Sequence, residues 1–134
     1  MSTGTYVLLC ELEDETSVSL TFGAAGTRTL QPGWYAYVGS ALGPGGFSRI
    51  DRHRQIANGC RDVRHWHIDY FLGHDAVNLA EAVRLPGHSC ECQLAQLLDG
   101  GMVPGIGASD CSCKSHLNAI ATPAVVTEAV EQIP

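Results

Sequence analysis

Two short strings in this 134-residue sequence set a tyrosine beside a glycine: Gly4-Thr5-Tyr6 near the start and Tyr37-Val38-Gly39 further on. Alone, each string fits a core or turn position. The second gains weight from its neighbours downstream. The glycine-rich run 39–46 leads into Arg49-Ile50-Asp51-Arg52-His53, where Arg49 and His53 fall one helical turn apart on one face, beside the end of the tyrosine strand. A phenol can give or take a proton, an imidazole changes charge near neutrality, and a guanidinium grips an oxyanion through a rigid fork. Together such groups can hold an anion and move a proton.

Charge is unevenly spread. The net charge of −6 argues against a general polyanion-binding surface, yet five of the seven arginines (Arg49, Arg52, Arg54, Arg61 and Arg64) lie in one stretch with His53, His65 and His67, opposed only by Asp51 and Asp62. Such a run is either a solvated helix face or the electrostatic footprint of a nucleic-acid partner, with Arg52, Arg54, Arg61 and Arg64 as the contacts. Lys114 is the sole lysine, which fits a high-salt habitat or an arginine-favouring codon usage equally.

Six cysteines, Cys10, Cys60, Cys90, Cys92, Cys111 and Cys113, invite a disulfide framework. The opening Met1-Ser2-Thr3-Gly4 has no basic leader region, and no apolar run approaches bilayer length, so the expected compartment is the reducing cytoplasm, with no membrane partner. There, metal binding or buried thiols are the better readings. Cys92, Cys111, Cys113 and His116 offer four donors soft enough for structural Zn²⁺, although their spacing is not the paired C-x-x-C form. The alternative is a set of small buried apolar groups. His67 and Asp69 flank Ile68 in a helix-like segment, where Asp69 is expected to hold an arginine and His67 is open between a structural and a site role.

These groups need a frame. Residues 5–11 and 17–22 read as strands, 27–30 as a continuation, and the aromatic stretch 34–38 as another strand. A polar helix is expected over 47–57, a short one over 66–72, a strand over 77–85 with its alternation broken at Glu81, and a helix over 91–98. The segment 103–113 reads as a loop, and 123–133 as either strand or helix. With 45% hydrophobic residues and no linker, repeat or low-complexity segment, the chain reads as one α+β domain, residues 1–134, with a small antiparallel or mixed sheet and about three flanking helices.

Tyr-Val-Gly-Ser-Ala at 37–41, followed by a helix bearing Arg-x-x-Arg-His, resembles the core of the GIY-YIG nuclease superfamily. Gly4-Thr5-Tyr6 stands where its first signature belongs, with Thr5 in place of the usual isoleucine. Trp66-His67-Ile68-Asp69-Tyr70, Glu91-Cys92-x-Leu94-Ala95 and Ser109-Asp110-Cys111-x-Cys113-x-Ser115-His116-Leu117 are similar to the branch known as domain of unknown function 123. That branch occurs as small stand-alone proteins, often archaeal, and fused to endonuclease III-type repair enzymes. The likeness covers roughly residues 4–118, with residues 7–36 as an unusually long insert carrying an added hairpin.

The resemblance implies a catalytic set of Tyr6, Tyr37, Arg49, His53 and Glu91. Glu91 would hold one Mg²⁺ or Mn²⁺ ion, with Glu81 and Asp69 as rival carboxylates, or Glu91 would simply favour a helix N-terminus. It implies metal-dependent phosphodiester hydrolysis on nucleic acid, DNA rather than RNA, in repair, with a repair glycosylase as a partner. In that chemistry a phenol beside a metal orients water, Arg49 steadies the phosphate, and the metal serves the leaving oxygen. The alternative is a catalytically silent nucleic-acid-binding or repair-partner module with the same fold.

Overall fold

A computed structural model of the chain describes residues 3–23, 26–41, 46–60, 67–88, 93–94, 97–98, 101–102 and 116–133. Its elements, in chain order, are β1 (Gly4–Leu12), β2 (Val18–Thr21), β3 (Thr27–Leu30), β4 (Gly33–Ala41), α1 (Ser48–Ala57), α2 (His67–Leu72), β5 (Val77–Pro86), β6 (Gly101–Met102), β7 (Leu117–Ile120) and α3 (Ala124–Glu131). The architecture is α+β. A five-stranded sheet runs in the order β5-β1-β4-β7-β6 with antiparallel neighbours throughout, and β2 and β3 form a separate two-stranded ribbon. No helix among the described residues is long and apolar enough to cross a membrane.

The two central strands are apolar on both sides because both sides are covered. Tyr6, Leu8, Cys10 and Leu12 of β1 share a face with Tyr35 and Tyr37 of β4. That face packs against Ile50 and Ile56 of α1, Ile68, Phe71 and Leu72 of α2, and Leu20, Phe22 and Leu30 of the ribbon. Val7, Leu9, Ala36 and Val38 face the other way, onto Leu94, Leu98 and, from α3, Val126 and Ala129.

The broken alternation near Glu81 has a structural cause. Leu79 pairs with Cys10 and Glu81 with Leu9, so Ala80 is an extra residue on β5 and the register shifts there. Side chains after the bulge therefore sit opposite to what unbroken alternation gives. Residues 7–12 and 33–36 of the expected insert belong to the main sheet, since β1 runs to Leu12 and β4 starts at Gly33, and between them the β2–β3 hairpin stands apart as its own ribbon. The tail resolves as a helix, with Pro123 at its N-cap and Val126 and Ala129 buried at helical spacing. Strands β6 and β7 are additions that the sequence did not announce: two and four residues carry too little alternation to read. The expected loop 103–113 lies outside the described residues, as do 91, 92, 95 and 96 of the expected helix 91–98, while 93, 94 and 97 are helical.

The ribbon is docked. Phe22 is fully buried, and Tyr70 of α2 fits under Gly23, where a Cβ would come within 2.9 Å of the tyrosine Oη. Phe22→Ala should therefore lower stability by about 3–5 kcal/mol in urea unfolding. Ser19→Ala, on the exposed side of the same ribbon, should change it by less than about 0.5 kcal/mol.

Candidate functional site

The register of β1 on β4 aligns Tyr6 with Gly39 and Leu8 with Tyr37, so both motif tyrosines project from the same sheet face. Gly39 has a steric role there. A Cβ built on it would run into the ring and hydroxyl of Tyr6, so the phenol lies flat across the glycine of the facing motif. Gly4 is likewise required, because a Cβ there would collide with the carbonyl of Leu85 on β5. Each motif glycine thus makes room for a neighbour.

Helix α1 closes the same face. Ile50, His53 and Ile56 form its buried stripe, and His53 meets both tyrosines. Its Nε2 lies 2.7 Å from Tyr6 Oη in a buried hydrogen bond whose donor depends on the imidazole tautomer. Its ring centroid is 5.6 Å from that of Tyr6 and 6.3 Å from that of Tyr37, the latter edge-on. Burial is the main force on its charge, pushing the imidazole down to about 4. Asp69 opposes that shift, and Arg52 and Arg49 add to it. His53 is therefore neutral at neutral pH.

Arg49, one turn earlier on α1, is half-buried, and its Nη1 donates to the Ser40 carbonyl at 2.7 Å. This ties the helix to the residue after Gly39. Arg52 forks onto the fully buried Asp69 of α2, with Nη1 to Oδ1 at 3.1 Å and Nη2 to Oδ2 at 2.9 Å. Asp69 does hold an arginine, and Arg52 spends its fork inside the protein. Arg54 is exposed on α1.

Of the sequence-derived site residues, Tyr6, Tyr37 and His53 are gathered in direct contact, with Arg49 beside them on α1. Glu91, Arg61, Arg64, Cys92, Cys111 and Cys113 lie outside the described residues. His116 is buried just before β7, its carbonyl accepts the Val38 N–H at 3.0 Å, and burial lowers its pKa. Cys10 is a buried free thiol, pushed up to about 12 by burial, and Cys60 is free and exposed. The carboxylate rivals are placed too: Glu81 aligns with Leu9 and so stands on the face away from the tyrosines, and Asp69 is bonded to Arg52. Among the described residues no three His, Cys, Asp or Glu groups gather to hold a metal.

Arg84, which no sequence motif marked for the site, also stands on the tyrosine face. It aligns with Tyr6 across β1 and β5, and its guanidinium carbon is 5.9 Å from the Phe47 ring centroid. An isolated arginine in an apolar strand was the available signal; the bulge at Ala80 hid which face it takes.

The motifs that suggested a family now have a site beneath them. The chain belongs to the family described as domain of unknown function DUF123. The family model matches residues 5–133, nearly the whole chain, and includes Tyr6, Tyr37, Gly39, Arg49 and His53. No curated protein and no solved structure matches it.

This geometry sets two expectations. Gly39→Ala should destabilise by at least about 1–3 kcal/mol through overpacking. Tyr6→Ala should relieve much of that cost, so a double-mutant cycle by urea unfolding should show strong coupling between the two positions. The second concerns pH. An unfolded chain protonates this imidazole near 6.5, whereas folded His53 resists until about 4. The unfolded state binds more protons in that window, so stability is retained above pH 6.5 and falls as pH drops toward 4, by roughly 3 kcal/mol for this group. His53→Asn should flatten that part of the stability–pH curve.

Proposed function

We propose that this DUF123-family domain hydrolyses phosphodiester bonds in nucleic acid, acting on DNA in repair as an endonuclease with a GIY-YIG-like fold. The observation that carries the reading is the meeting of Tyr6, Tyr37 and neutral His53 on one face, with Arg49 one turn along the same helix. A crowded phosphate gains negative charge at its transition state, and a half-buried guanidinium held by a carbonyl is oriented before the substrate arrives. Neutral His53 can exchange a hydrogen bond with Tyr6 without adding a competing charge. The pair is buried, so it positions the more accessible groups and is not itself the surface that meets DNA. A divalent ion, Mg²⁺ or Mn²⁺, on Glu91 would supply Lewis-acid help to the leaving oxygen.

A second reading has its own observation. Tyr6 and His53 are each only 1% exposed, which suits a domain that binds nucleic acid, or a repair glycosylase, without cutting. Nicking assays on abasic, branched and plain DNA duplexes with Mg²⁺ or Mn²⁺ separate the two. The nuclease reading expects metal-dependent cleavage. Arg49→Ala should cut it about 100-fold or more while folding is kept at a cost of about 1 kcal/mol for the lost hydrogen bond. Glu91→Ala should remove the metal dependence, and Arg61→Ala should weaken binding only. The reading is overturned in favour of the silent module if wild-type protein binds DNA but cuts none of these substrates with either metal, and Arg49→Ala merely weakens that binding.

A further inference from the structure

Beyond the residues assigned so far, one arginine on the tyrosine face is placed like a ligand contact. The row Arg84–Tyr6–Gly39 runs straight across β5, β1 and β4. Arg84 is exposed, and among the described residues it makes no ion pair. Its guanidinium leans over Phe47, the N-cap residue of α1, and Arg49 is the second residue of that helix. Such a seat on an aromatic ring fixes the stem and plane of an arginine while leaving its N–H edges available. Arg52 is the contrast within the same chain: it has the same fork, already closed on Asp69. In a chain of net charge −6, an exposed arginine with no carboxylate partner among the described residues, at the sheet edge beside the site, is suited to an external anion.

We propose that Arg84 is a backbone-phosphate contact for the DNA strand entering this site, lying on the β5 side of Tyr6 while Arg49 lies on the α1 side. The proposal rests on the nucleic-acid reading above and adds to it the edge over which the strand runs. A phosphate contact of this kind is sequence-independent. It reveals itself through the counterions it displaces, so it sets affinity and salt dependence more than base preference.

The test is fluorescence anisotropy of a short labelled DNA duplex in EDTA, where no cutting occurs, measured over a series of salt concentrations. Arg84→Gln should weaken binding and lower the slope of log K against log salt by about one unit. Arg84→Lys, which keeps the charge, should retain the slope. Arg28→Gln, on the separate ribbon, removes the same charge and should leave the slope unchanged; thermal melts of all three confirm that they are folded. If Arg84→Gln keeps the wild-type slope, or Arg28→Gln lowers it equally, Arg84 is not a phosphate contact, and the nuclease reading stands or falls separately on its cleavage assay. If the wild type binds no duplex at all, the Arg84 proposal falls, and the nuclease reading is still judged by its metal-dependent cleavage assay.

Discussion

The site depends on a phenol lying over a glycine. Because Gly39 has no side chain, Tyr6 can fold across β4, and only from there can its hydroxyl reach His53 on α1 at 2.7 Å. That one bond ties the central strand pair to the helix carrying Arg49 and Arg52. The bond is made in a dry interior, where it is electrostatically stronger than in water and where losing one partner leaves a costly unsatisfied group. Its position explains why the two tyrosine–glycine motifs belong together although many residues separate them: one supplies the ring and the other the space.

Around this contact the charges are sorted by depth. Asp69 is fully buried and answered bidentately by Arg52, so α1 and α2 are clamped at the level of the core. A buried pair of this kind adds geometry more dependably than net stability. Arg49 sits further out, with its Nη1 donating to the Ser40 carbonyl, and Arg84 and Arg54 are exposed. Positive charge thus increases in accessibility away from the Tyr6–His53 pair, within a chain that is acidic overall. Such a gradient places the accessible positive charge at the rim of the site and the paired charge inside it.

The sequence disclosed what rests on local signals. The Tyr-Val-Gly run, the polar helix after it and the Arg49–His53 spacing were readable because strand and helix periodicities are short-range, and Asp69 as an arginine's partner could be read in the same way. Three features were out of reach. The bulge at Ala80 reverses the faces of β5, so Glu81 leaves the tyrosine side and Arg84 joins it. The burial of His53 comes from the docking of α1 onto the tyrosine face of the sheet. Strand β7 is four residues long and is held by pairing to β4 rather than by its own alternation. All three are products of long-range packing, and no window of the sequence contains them.

Whether His53 is a buried, neutral imidazole bonded to the Tyr6 phenol can be read from NMR of the imidazole nitrogens. At about pH 5.5, between the folded and unfolded values for this group, the wild-type protein should give the shifts of a neutral ring with one protonated nitrogen, unchanged up to neutral pH, and Tyr6→Phe should show a different tautomer balance. Shifts of a doubly protonated imidazolium under the same acidic condition, with a midpoint near the ordinary 6.5 and no response to Tyr6→Phe, would contradict that state.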